Sequence, residues 1–154
     1  MKRLIVFILI VLLLCFTNLS LTKDFNIDKI FPNSIVEIFF DEKSDINLEK
    51  TSNGVGEIVF CDINKLSSIL KLNHNISGVT FRIKNENVGN ILKKINVRNT
   101  YNKNFGIYGW SNVLDSMLNV KTNSLKLFDS YVNFQCVDNG DEIILGCPII
   151  LGSY

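Results

Sequence analysis

The stretch YVNFQCVDNGDEIILGCPII, residues 131–150, constrains the fold most. It sets two apolar runs on either side of Asn139-Gly140, and Asn-Gly between such runs is the strongest short-range signal for a β-hairpin. Side chains alternate across a strand. Val132, Phe134, Cys136, Ile143, Leu145 and Cys147 therefore share an inner face, and Tyr131, Asn133, Gln135 and Val137 take the other. A two-residue turn at Asn139-Gly140 sets Cys136 opposite Ile143 and Cys147 opposite Val132. The sulfurs would then sit roughly 13 Å apart along the ladder. A disulfide needs Cα atoms within about 7 Å.

Other segments supply strands for this hairpin to join. SIVEIFF (34–40), VGEIVFC (55–61) and GVTFRIK (78–84) are β-branched and aromatic in character and read as strands. NVRNTY and NFGIYGW form a second hairpin around Asn102-Lys103, and SLKLFD (124–129) is a short strand. Two segments carry a helical period instead. INKLSSILKL, behind Asp62 as N-cap, places Ile63, Leu66, Ile69 and Leu70 on one face. ENVGNILKKI does the same with Val88, Ile91, Leu92 and Ile95, although Gly89 weakens it by about 1 kcal/mol relative to Ala. SNVLDSMLNV (111–120) reads as a loop with a helical turn. The expected fold class is α+β: an antiparallel sheet with two amphipathic helices on one face, preceded by an N-terminal hydrophobic helix.

That N-terminal helix is a targeting segment. Lys2-Arg3 precedes thirteen apolar residues, Leu4 to Phe16. A short basic region before such a run is the pattern of a secretory signal, with the basic end held in the cytoplasm. Cleavage wants small residues spaced as in A-x-A, and Ser20-Leu21-Thr22 fits poorly. Residues 4–21, as one helix, would span roughly 27 Å, close to the apolar thickness of a bilayer. An uncleaved membrane anchor is therefore favoured over a cleaved signal. A lipoprotein through Cys15 comes third, because Leu14 stands where a small residue is wanted. The chain divides into residues 1–22 as signal peptide or anchor, 23–33 as connector and 34–154 as a single α+β domain. The expected location is the cell membrane with the domain outside, or secretion.

Composition excludes some partners. The chain contains no Ala, three Arg, and twenty each of Asn and Ile, the signature of AT-rich codons. Setting aside Lys2 and Arg3 leaves 14 basic against 15 acidic residues. The charges are interspersed, with no basic stripe to neutralise phosphates, so no nucleic acid is expected as partner.

The C-terminal half also carries a resemblance. YGWS (108–111), VNFQ (132–135) and GCPIILGSY (146–154) resemble uncharacterised exported proteins of Gram-positive spore-formers. These are similar to the YwmB type, whose fold is likened to the saddle of the TATA-box-binding protein. The resemblance covers residues 78–154. It implies an extracytoplasmic α+β domain of unknown activity that does not bind DNA.

No catalytic constellation emerges from the residues. His74 is the sole histidine and lies in a helix-ending NHN turn. Asp41-Glu42 and Asp141-Glu142 flank strand ends or turns, where acidic residues are ordinary. Asp138-Asn139-Gly140-Asp141 lacks the ligand spacing and closing Glu of an EF-hand. Gly54-Val55-Gly56 lacks the third glycine and lysine of a phosphate loop. Cys61, Cys136 and Cys147 form no CxxC or Cys/His cluster and read as buried free thiols. No cofactor or metal is expected. The remaining candidate is a partner-binding surface. Tyr108 and Trp110 point away from the core if Phe105 and Ile107 point into it, and they join Tyr131, Asn133 and Gln135. Aromatic rings beside amides suit contact with an envelope protein or glycan. The plainer alternative is that Tyr108 and Trp110 pack beneath a loop or a second layer. The leading expectation is a non-catalytic envelope protein acting by contact. Its alternative is a cell-wall enzyme or ligand-binding domain using acidic residues.

Overall fold

A computed structural model describes residues 26–52, 54, 56–72, 75–118, 120, 124–127 and 129–152. The leader and His74 fall outside these residues. Among the described residues no helix is long and apolar enough to cross a membrane.

The chain order is α1 (Ile27–Ile30), β1 (Ile35–Phe40), β2 (Lys50–Ser52), β3 (Glu57–Asp62), α2 (Ile63–Leu72), β4 (Ile76–Ile83), α3 (Val88–Lys94), β5 (Val97–Lys103), β6 (Gly106–Ser111), α4 (Asn112–Met117), β7 (Leu125–Leu127), β8 (Ser130–Val132), β9 (Phe134–Asp138) and β10 (Ile143–Cys147). Eight strands form one sheet in the order β2-β3-β1-β4-β10-β9-β6-β5, and every pairing is antiparallel. β7 and β8 pair separately. The fold is α+β with a large antiparallel sheet. β4 and β10 sit at the centre, so the hairpin from the end of the chain completes a sheet begun by its first half.

Among the described residues there are four helices: the two amphipathic ones expected, and two short ones where the sequence reads as a connector and as a loop with a helical turn. α1 lies in the stretch read as connector. Asn26 caps it by accepting from the Asp28 N–H at 3.1 Å, and it buries Ile27 and sets Phe31 beside Phe81. α4 follows β6 directly, with Ser111 as N-cap accepting from the Leu114 N–H at 3.2 Å. Its six residues are too few for a period to stand out from sequence. β2 is polar and its three residues are all exposed, so no apolar alternation marks it in the sequence. Pairing to β3 and a 3.3 Å ion pair from Lys50 to Glu57 hold it. The Ser44 N–H, then Lys50, hold the Glu57 carboxyl below its ordinary pKa.

Both hairpins turn elsewhere than expected. β9 and β10 pair Asp138 with Ile143 and Cys136 with Leu145, a register two residues from the expected one. A two-residue type I′ turn needs positive φ at both Asn139 and Gly140. Only Gly140 has it, at 93°. Asn139 instead uses its side-chain oxygen to accept from the N–H groups of Asp141 and Glu142, at 3.2 and 3.0 Å, and closes a longer turn. An even shift keeps every side chain on its face. β5 and β6 pair Lys103 with Gly106, so the turn is Asn104-Phe105 and not Asn102-Lys103. Phe105 consequently sits at the tip, 67% exposed, rather than in the core.

One face of the sheet is apolar throughout. Val36, Ile38, Val59, Val79, Phe81, Phe134, Cys136, Ile143 and Leu145 form one cluster with Ile27 and Phe31, Leu66 and Ile69 of α2, Ile91 of α3 and Leu114 of α4. Each large side chain buried there contributes roughly 1.5–3 kcal/mol. Cys61, Cys136 and Cys147 are free and buried. Burial, with a smaller push from a neighbouring acid, raises the thiol of Cys61 to about 11 and that of Cys136 to about 12. They act as small apolar residues and are poor nucleophiles near neutral pH.

Candidate functional site

The other face of the sheet carries the polar chemistry. Register aligns one row across it: Glu37 of β1, Thr80 of β4, Gly146 of β10, Gln135 of β9, Tyr108 of β6 and Tyr101 of β5. Glu37, Thr80, Gln135 and Tyr108 are buried although none of them belongs to the apolar cluster. Their cover is the end of the chain. After β10, residues 148–152 return over this face, and the Ile150 N–H donates to Gln135 Oε1 at 3.1 Å. The strap needs glycine beneath it. A Cβ on Gly146 would lie 2.3 Å from the Ile150 nitrogen, and one on Gly78 would lie 2.7 Å from Leu151 Cδ1.

Gln135 is committed to this packing. Its Nε2 donates to the Phe105 carbonyl at 2.8 Å and to Tyr108 Oη at 3.1 Å. Asn133 is committed too. It sits between β8 and β9, accepts from the Ser111 N–H at 2.8 Å and donates to the Ser111 carbonyl at 2.7 Å. Its side-chain amide thus pairs with β6 as a backbone peptide would. Tyr108 is buried, and its Oη accepts from Gln135 Nε2. Of the five residues singled out from sequence, these three are buried within the fold.

Trp110 and Tyr131 are brought together elsewhere. β8 lies against β6, and a groove of about 480 Å³ opens between the small sheet and the β5 edge. Trp110, Tyr101, Tyr131, Arg98, Asn99, Ser124 and Ser130 line it. Its rings are held in place. Trp110 Nε1 donates to Asn112 Oδ1 at 2.9 Å, and Tyr101 Oη donates to Ser130 Oγ at 2.7 Å. Tyr131 is 64% exposed. Arg98 is the only charged lining residue, and among the described residues it has no ion pair or hydrogen bond.

Sequence reasoning missed Arg98, Asn99 and Tyr101. The signal was present in the β5–β6 register, which sets Asn99 opposite Trp110 and Tyr101 opposite Tyr108. Placing the turn two residues too early hid it. Ser124 and Ser130 reach the groove only because β7 and β8 fold back, and no local pattern announces that.

Among the described residues, two acidic side chains of this face are engaged by one cation. Glu37 and Glu142 converge on Arg82, which hydrogen-bonds Glu37 through Nε and lies 2.6 Å from Glu142 through Nη1. Burial lowers the Arg82 pKa, but both carboxylates outweigh it and hold the guanidinium above its ordinary value. Asp141 is exposed at the turn. Among the described residues no group of three or more His, Cys, Asp or Glu is placed to hold a metal ion. A second cleft of about 360 Å³, between Phe31, Pro32, Asn33 and the β4–α3 connection, contains Lys94. That lysine is already paired with Glu86.

The chain matches no family model, no curated protein sequence and no solved structure.

Proposed function

We propose that this protein is a non-catalytic contact module of the cell envelope, an α+β domain tethered outside the membrane by residues 4–21. In this reading the helices back one face of the sheet, and the groove beside β5 meets the partner. The observation that carries the contact reading is the groove itself. Three aromatic side chains and one guanidinium with no partner among the described residues stand at the surface, and two of the rings are fixed by hydrogen bonds. Aromatic and arginine side chains are the residues that dominate binding energy at interfaces. The tether reading rests on the basic start and apolar run of the leader. The likeness of YGWS, VNFQ and GCPIILGSY to exported spore-former proteins points the same way.

Protease shaving of intact cells tests the location. The domain is expected to be digested from outside while remaining in the membrane fraction before treatment. Protection in intact cells, with digestion only after lysis, would refute export. Recovery of the mature chain with its Met1–Lys2–Arg3 start distinguishes the uncleaved anchor from a processed form.

A further inference from the structure

The chemistry of the groove identifies a ligand class. We propose that it binds a carboxylate-bearing sugar, with Trp110, Tyr101 and Tyr131 as platforms for the ring and Arg98 as the carboxylate anchor. This deepens the contact reading above and rests on it.

Three features lead to this ligand. The first is charge. Arg98 is the only ionic residue in the lining and has no partner among the described residues. A guanidinium offers paired N–H donors that match the two oxygens of a carboxylate. The second is the walls. A pyranose presents an apolar face of axial C–H groups and a rim of hydroxyls. Indole and phenol faces match the first, and Asn99, Ser124 and Ser130 supply donors and acceptors for the second. The volume, about 480 Å³, lies within the usual range of small-ligand sites. The third is preorganisation. The bonds from Trp110 to Asn112 and from Tyr101 to Ser130 hold both rings before any ligand arrives. Less side-chain freedom is then lost on binding.

Other anions fit less well. A nucleic-acid strand would also stack on the rings, but its phosphates call for several cations along a track. This groove has one. An acidic peptide would satisfy Arg98, and its backbone could meet the polar rim, but tetraglutamate has no flat C–H face to lie on the three rings.

The carboxylate could belong to a uronic acid or to the lactyl ether of muramic acid, and the two sources are separable. Trp110 is the chain's single tryptophan, so its emission reports on the groove directly. The full-length chain in detergent micelles would be titrated with tetragalacturonate, with the disaccharide GlcNAc–MurNAc, with neutral chitotetraose and with tetraglutamate. At least one acidic sugar is expected to shift the emission, and to bind about tenfold or more tightly than chitotetraose or tetraglutamate. Which acidic sugar does so names the source. Arg98→Gln should weaken that sugar about tenfold or more and leave chitotetraose unchanged. Arg98 is exposed, so its variant is expected to keep the wild-type circular dichroism. Equal binding of neutral and acidic sugars, tighter binding of tetraglutamate, no binding of either acidic sugar, or an Arg98→Gln variant that binds as wild type would each overturn the proposal. None of these results depends on where the protein resides, so protease shaving and this titration fail independently.

Discussion

The two faces of the sheet are both buried near its centre, but by different means. One face carries an apolar cluster in which residues of α1, α2, α3 and α4 join alternate residues of the strands. The opposite face is closed by the chain's own last segment, laid over two glycines and fastened to Gln135. The first face gains its stability from area removed from water, which tolerates small shifts in geometry. The second depends on close backbone approach and on satisfied polar groups, where one added atom or one lost partner matters. Alternation along a strand therefore says which side chains share a face. It does not say that the polar set faces water.

This contrast can be broken at three points. Phe81→Ala should cause the largest loss, about 3–5 kcal/mol, because it opens a cavity where Phe81 is fully buried beside Phe31. Chemical denaturation would measure it, and a loss below about 1 kcal/mol would mean that the apolar face is not the main core. Gly146→Ala should cost about 1–3 kcal/mol, as overpacking does. The new Cβ meets the backbone of Ile149 and Ile150, which cannot rotate away. Limited proteolysis should then cut near residues 149–152 in the variant before the rest of the domain unfolds. Wild-type stability with a protected C-terminal segment would show that the strap does not lie as described. Thr80→Val is the smallest change and should have the opposite sign. Thr80 Oγ1 is buried with no hydrogen-bond partner among the described residues. Removing that hydroxyl should stabilise the protein by about 1 kcal/mol. A destabilisation of similar size would reveal a polar partner on this face.

Local pattern carried far where the period was long or the residues distinctive. Ile63 to Leu72 is a helix over the range that its apolar spacing indicates, and β1 and β4 follow their β-branched residues closely. The inner face of the last hairpin is correct for Phe134, Cys136, Ile143, Leu145 and Cys147, because a register error of two preserves the faces, whereas Val132 belongs to β8 of the small sheet. Short elements were less legible. β2 has no apolar residue, and α4, with only six residues, showed as no more than a helical turn. Turn position escaped for a different reason. Asn139-Gly140 is compatible with more than one turn, and the choice fell to the hydrogen bonds that Asn139 makes within its own loop. Two of the seven groove residues, Trp110 and Tyr131, were legible. Their neighbours Arg98 and Tyr101 waited on the register of β5.

By itself, then, the chain's sequence determined an α+β composition and which residues of each long strand share a side. It also supplied an export-type leader as an expectation. These are local properties, written in periods of two and 3.6 residues and in one apolar run. Tertiary structure alone decided that Gln135 and Asn133 serve the fold and that the strap covers a face. It also decided that Arg98 lines one groove with Trp110. Each of these depends on segments far apart in the chain meeting at a distance of a few ångströms. Periodicity within one segment carries no information about which other segment will lie across it.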